Sequence, residues 1–310
     1  MIVMKHVVIL LSVLIWGGVS FAEKTVPSFY LPVEQSEGRG VHYFADHALD
    51  AADTNAQHAV VIIHGLNGGM QDGAGKVRKI IAKYRDTSRV YFVAPCIVAE
   101  KLLNEEERAK TVYWRLWQKG QDSPVVPGFS AFDALDRVFD RLNDRSRYPA
   151  LKTVLFCGYS AGGQLISRYM AVTAIRPREG LQVNFAAGAP STWLFLNRDA
   201  PWHFGLDSRN RYTAGVTDEM IFNNLASRYG LCFCGTADIA TNYLDDSSSA
   251  MAQGTNRYER FKRFRAHIGT FPQLRDSFRF TEVKDGTHGG HCYDNEAFVN
   301  LVFGSRQPIP

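Results

Sequence analysis

The chain alternates between two kinds of apolar pattern. Short runs of strand length occur at Ala59–Ile63, Val90–Val93, Thr153–Phe156, Val183–Ala186, Leu231–Phe233 and Phe278–Val283. Their hydrophobicity is continuous rather than alternating, as expected of strands buried on both faces of a parallel sheet. Between the first two, Val77, Ile80, Ile81 and Tyr84 fall at helical spacing and predict a helix with one apolar stripe. Phe132, Leu135, Val138, Phe139 and Leu142 predict another, opened by Ser130 as N-cap with Asp133 three residues on. A last helix should start near Asp294 or Asn295, bury Phe298, Leu301, Val302 and Phe303, and stop at Gly304. Strands alternating with helices predict an α/β fold in one domain, with a doubly wound and mostly parallel sheet.

Two stretches, 97–128 and 192–229, lack clear periodicity. Long loops in a compact domain are usually functional, and ligands bind outside the carboxyl ends of parallel strands. These segments are therefore expected to wall a substrate pocket or form a small cap. The aromatic residues in or beside them, Tyr113, Trp114, Trp117, Trp193, Phe195, Trp202 and Phe204, fit either packing of the cap onto the body or contact with substrate. Further on, Arg257, Arg260, Lys262, Arg263 and Arg265 with Phe261 and Phe264 read as an amphipathic helix with a wet basic face.

The first 22 residues read as an export signal rather than as part of the fold. Lys5 supplies the positive start, Val7–Trp16 the apolar run, and Ser20-Phe21-Ala22 the small residues of a cleavage site. The run is too short to span a bilayer, for which about 20 residues are needed. The mature chain, residues 23–310, is thus expected to be secreted or periplasmic, without stable membrane insertion. In an oxidising compartment Cys96, Cys157, Cys232, Cys234 and Cys292 could form up to two bridges and leave one thiol over. Cys232 and Cys234 would point to opposite faces of one strand and are poorly placed to bridge each other. A metal site built from them with His288, His291 and Cys292 lacks the paired C-x2-C spacing.

Composition narrows the picture further. Of 310 residues, 45% are hydrophobic and 21% charged, which excludes disorder and coiled coil. A net charge of +4 is too small and too dispersed for a phosphate-binding footprint, so no nucleic-acid partner is expected.

The chemistry is carried by Gly158-Tyr159-Ser160-Ala161-Gly162. It directly follows a buried strand and opens a helix containing Leu165, Ile166 and Tyr169. A serine hydroxyl is a poor nucleophile unless held in the open beside a base, and a sharp strand-to-helix turn does this. Glycines two positions to either side are needed where the turn brings backbones together. The same turn points the Ala161 N–H toward a developing oxyanion.

With these residues the chain resembles the α/β-hydrolase superfamily, the serine esterase and lipase fold. Four motifs stand in the expected order. His64-Gly65-Leu66-Asn67-Gly68-Gly69 resembles the loop that gives the second oxyanion donor. That role would fall to Leu66, with Asn67 as neighbour, and His64 would be structural. Ser160 matches the nucleophile. Gly235-Thr236-Ala237-Asp238 resembles the turn bearing the acid, and Asp285-Gly286-Thr287-His288-Gly289-Gly290 the terminal histidine loop. The stretches 162–169 and 253–257 resemble exported hydrolases related to polyhydroxyalkanoate depolymerases and carboxylesterases. His291 rivals His288 as base, and Asp199, Asp245 and Asp246 rival Asp238 as acid. The resemblance implies a cofactor- and metal-free acyl transfer on a small-molecule or polymeric ester, with Ser160, Asp238 and His288 as triad. Amide cleavage, transfer of the acyl group to an alcohol, and a catalytically dead binding module are the alternatives.

Overall fold

The computed structural model describes residues 26–306, and the expected export signal lies outside the described residues. Eight strands form one sheet: β1 (Ser28–Pro32), β2 (Gly40–Ala45), β3 (His58–Ile63), β4 (Val90–Pro95), β5 (Thr153–Tyr159), β6 (Gln182–Gly188), β7 (Tyr229–Gly235) and β8 (Phe278–Val283). Their order is β1-β2-β4-β3-β5-β6-β7-β8. From β4 to β8 every neighbouring pair is parallel. β1 and β2 join antiparallel at one edge. The six expected strands are all present; β3 to β7 are buried on both faces as expected, whereas β8, at the far edge of the sheet, is fully buried only at Phe278. β1 and β2 escape a search for apolar runs because an antiparallel edge buries only one face. β2 sinks Val41, Tyr43 and Ala45 and leaves His42 and Phe44 half-buried.

The helices are α1 (Met70–Ala82), α2 (Glu105–Lys110), α3 (Ala131–Asn143), α4 (Ala161–Val172), α5 (Asp218–Ser227), α6 (Ser248–Met251), α7 (Arg257–Gly269) and α8 (Glu296–Val302). They cover both faces of the sheet. Phe185 of β6 packs on Tyr169 of α4, whereas Phe233 of β7 packs on Phe298 of α8. Phe233 pairs in register with Gly188, three residues from Phe185, so alternation puts the two rings on opposite faces. The Ser130 cap of α3 is closed reciprocally: Ser130 Oγ accepts from the Asp133 N–H at 3.1 Å, and Asp133 Oδ2 accepts from the Ser130 N–H at 2.7 Å. At the start of α8, Asn295 Oδ1 accepts from the Phe298 N–H at 2.9 Å. Tyr84 departs from its expected stripe. It lies past the end of α1, is exposed, and donates to Asp294 at 2.6 Å.

Three other expectations change. The basic face of α7 is not wet throughout, because Arg257 and Arg260 are 1% and 0% exposed. A fully buried guanidinium must spend its donors, and Arg260 donates to the Gly254, Ser191 and Asp245 carbonyls. The five cysteines are all buried free thiols, so no bridge forms. Cys157, Cys232 and Cys234 are fixed in strands of the sheet, which places each beside its ladder partner rather than another cysteine. Finally, the inserted segments dock on each other: Trp202 Nε1–H donates to the Lys119 carbonyl at 2.9 Å and Arg211 pairs with Asp122 at 2.8 Å. Leu102 of the first segment lies against the Gly68–Met70 loop. Trp114, Trp117 and Trp193 are fully buried, so packing is what these rings do.

Candidate active site

Chain order along the sheet reverses between β3, whose helix α1 leads to β4 on one side, and β5, whose helix α4 leads to β6 on the other. Such a reversal opens a crevice at the carboxyl ends of the strands. Register sets Ile63 beside Gly158, so the His64-Gly65 loop leaves the sheet level with Tyr159 and Ser160. Here lies a cavity of about 390 Å³, lined by residues 62–70 of the β3–α1 loop, the first turns of α1, Tyr159, Ser160, Tyr243, His288 and Tyr293.

Ser160 sits between β5 and α4 with φ 57° and ψ −118°. A non-glycine residue held there costs about 1–3 kcal/mol and persists only where the surroundings enforce it. Its N–H donates to the Gly188 carbonyl at 2.8 Å. The flanking glycines let the turn close. A methyl on Gly158 would stand 2.4 Å from the Gly162 carbonyl carbon, one on Gly162 would stand 2.4 Å from the Ile63 oxygen, and one on Gly163 would stand 2.6 Å from the Gly188 oxygen. Ser160 is half-buried on the cavity wall. As first residue of α4, Ala161 has an N–H with no intrahelical acceptor. Leu66 is 39% exposed on the opposite lip, in a loop turned by Gly68 and Gly69 at φ 81° and 76°.

Asp238 and His288 come together through a backbone-to-backbone contact. A methyl on Gly235 would stand 2.0 Å from the Gly286 oxygen. The Ala237 N–H donates to that same oxygen at 2.9 Å, and the Asp285 N–H to Thr236 Oγ1 at 2.8 Å. The acid turn and the histidine loop are thus stapled, and His288 Nδ1–H donates to Asp238 Oδ2 at 2.7 Å. Asp238 is fully buried, whereas His288 keeps 28% of its side chain exposed. Its ring lies 5.2 Å from that of Tyr159, whose hydroxyl accepts the Gly289 N–H at 3.3 Å. Burial keeps the Tyr159 hydroxyl protonated well beyond its ordinary range. No hydrogen bond joins Ser160 Oγ to His288 among the described residues; both side chains line the same cavity.

The other candidates lie elsewhere. His291 is exposed and does not line the cavity. Asp199 and Asp246 are exposed, and Asp245 Oδ1 accepts the Ser247 N–H. His64 is buried with Nδ1–H donating to the Gly65 carbonyl at 2.6 Å and its ring edge-on to Trp117. Burial lowers its pKa to about 4, so it is neutral and serves to shape its loop. Residues not anticipated are Tyr243 and Tyr293 on the cavity wall, Asp72 and Lys76 on α1, and Arg257 beside Asp238. The i, i+4 spacing of Asp72 and Lys76 marks a common helix face, but nothing in the sequence gives its direction.

No family model and no curated protein matches the sequence. Solved structures do resemble the fold. The LpqC poly(3-hydroxybutyrate) depolymerase from Bordetella parapertussis matches with a TM-score of 0.65 at 20% identity, over 92% of this chain and 91% of that one. Poly(aspartic acid) hydrolase-1 from Sphingomonas sp. KT-1 matches with a TM-score of 0.64 at 17% identity, over 90% and 98%. The siderophore hydrolase EstB from Aspergillus nidulans matches with a TM-score of 0.50 at 14% identity, over 99% of each chain. Strand order, the turn at Ser160 and these likenesses agree that the chain has the α/β-hydrolase fold.

Proposed function

We propose that this protein is an exported serine hydrolase that cleaves carboxylic esters through an acyl-enzyme on Ser160. The observation that carries the reading is the 2.7 Å bond from His288 to buried Asp238, with the imidazole and Ser160 on one cavity wall. Asp238 fixes the tautomer with the proton on Nδ1, which leaves Nε2 free to act as base. His288 takes the hydroxyl proton as Ser160 Oγ bonds to the ester carbon, and the N–H groups of Leu66 and Ala161 hold the oxyanion. The tetrahedral adduct breaks its bond to the leaving alkoxide, which receives the proton from His288. Water, deprotonated by the same imidazole, then releases the acid and restores Ser160.

The polymer hydrolases among the structural likenesses support a small or polymeric ester as substrate, and the sequence pattern around Ala22 supports export of residues 23–310 as one domain. The name of the poly(aspartic acid) hydrolase favours amide cleavage as the second reading. A serine-directed fluorophosphonate should label the wild type and not Ser160→Ala. Graded acyl esters set against matched anilides then separate the two bond types. A folded wild-type protein that resists labelling removes the hydrolase reading.

A further inference from the structure

The buried guanidinium of Arg257 has no part in the mechanism above, and it lies against the triad acid. Its Nη1 stands 3.8 Å from Asp238 Oδ1, with both side chains almost fully buried at 1% and 0%. Asp238 Oδ2 is taken by His288, and among the described residues Oδ1 has no hydrogen-bond partner, nor does Arg257 Nε. Arg257 also donates to the carbonyls of Ala240 at 3.1 Å and Asn242 at 2.9 Å. These belong to the loop that starts at Asp238 and carries Tyr243 to the cavity wall. On the other side, the Tyr258 N–H donates to the Asp238 carbonyl at 3.2 Å. One turn of α7 therefore grips the acid loop at three carbonyls, and its first residue brings a positive charge to the carboxylate.

A buried guanidinium is costly unless it is paired, and the partners of Arg257 are the Asp238 carboxylate and two carbonyls of the loop that carries it. Arg260, one turn on, is equally buried but spends its donors on Gly254, Ser191 and Asp245 carbonyls without touching Asp238. The comparison separates two roles that the same helix plays. Arg260 ties α7 to the body; Arg257 ties it to the triad.

We infer that Arg257 is a positioning residue for the proposed triad, holding the Asp238 carboxyl group aimed at His288 and clamping the Asp238–Tyr243 loop against the cavity. This rests on the serine-hydrolase reading. The groups that face the carboxylate are His288 from the loop after β8, Arg257 from α7, Tyr159 at the end of β5, Cys234 in β7 and Cys292 before α8. Only Arg257 among them carries a fixed positive charge. Its removal takes a fixed positive charge away from the Asp238–His288 pair, so the pH at which Ser160 becomes reactive should rise.

The test is the rate of fluorophosphonate labelling of the full chain as a function of pH, with thermal unfolding measured in parallel. It needs no knowledge of the substrate. Arg257→Met should label at least tenfold more slowly and move the acid limb upward by roughly one pH unit, a tenfold change in proton affinity. Arg257→Gln keeps donors for the carbonyls without the charge; it should show the same shift and stands in for the methionine variant if that fails to fold. Arg257→Lys should return the limb to within a few tenths of wild type. Arg260→Met should lower the unfolding temperature and leave the limb in place. Folded Arg257→Gln or Arg257→Met with the wild-type limb, or an equal shift in Arg260→Met, would overturn the inference and leave the hydrolase reading standing. If the wild type itself is not labelled at Ser160, both fall together.

Discussion

On the side of the site where Ser160 sits, the absence of a side chain at Gly162 is a tight constraint. An alanine methyl there would sit 2.4 Å from the Ile63 oxygen and 2.7 Å from the His64 oxygen, both backbone atoms. An ordinary carbon–oxygen contact is about 3.3 Å, so α4 and the β3 end must separate by about 0.9 Å. That movement falls on the gap between the N–H groups of Ala161 and Leu66. Overpacking of this kind costs about 1–3 kcal/mol of stability, and a misplacement near 1 Å costs about 10²-fold in rate. Gly162→Ala should therefore unfold several degrees lower and be labelled, or hydrolyse a chromogenic ester, about two orders of magnitude more slowly. Gly75→Ala in α1 is the control. A methyl there meets nothing within 4 Å, so alanine should stabilise by about 0.5–1 kcal/mol and leave activity alone. Wild-type rate and unfolding temperature in Gly162→Ala would show that the turn does not fix the oxyanion geometry and would refute the reasoning.

Four further outcomes are expected. His288→Ala should lose most ester hydrolysis, whereas His291→Ala, altering an exposed ring off the cavity, should stay within about twofold; equal losses would make the assignment of the base wrong. Asp238→Asn keeps the shape of the acid but presents the wrong hydrogen-bond partner to Nδ1, and should lower kcat by about 10⁴, read in steady-state kinetics. A thiol reagent should modify none of the five cysteines until denaturant is added, and reducing agent should not shift the unfolding temperature. Burial lowers the pKa of His64 from 6.5 to about 4, so its neutral form is favoured by folding. The stability this gives is complete above pH 6.5 and is lost as pH falls toward 4, by an amount on the order of 3 kcal/mol. Replacing His64 by Gln should flatten that stretch of the stability-against-pH curve measured by denaturant titration.

Local chemistry was legible where one residue's requirement is written into its neighbours. Ser130 and Asp133 announce a capping box because each answers the other's unpaired N–H, and the structure closes both bonds. Gly158, Gly162 and Gly163 announce the sharp turn because only glycine fits where three backbones converge. The buried strands announce themselves because two covered faces demand uninterrupted apolar side chains. β1 and β2 were silent for the converse reason. One face is enough for an edge strand, and Gly40–Ala45 has no apolar run to notice.

The contacts that position chemistry across the sheet were not legible, because they join elements whose relative depth no local pattern records. Arg257 and Arg265 lie on one helix and have the same composition signal. Yet one is sealed beside Asp238 while the other meets Glu282 in the open. What separates them is which face of α7 meets the sheet, marked by Phe261 and Phe264 packing on Phe280. The joint between Gly235 and Gly286 is equally hidden: either glycine alone reads as an ordinary turn, and only their contact at the ends of paired strands explains why Gly235 must lack a side chain and why Gly286 has little room for one. The site is thus specified twice. Short-range glycines make each turn sharp enough, and the strand register then brings the ends of β5, β7 and β8 to one edge of the sheet, with β6 between the first two, so Asp238 meets His288 and the imidazole shares a cavity wall with Ser160 because of the sheet rather than of any segment that carries them.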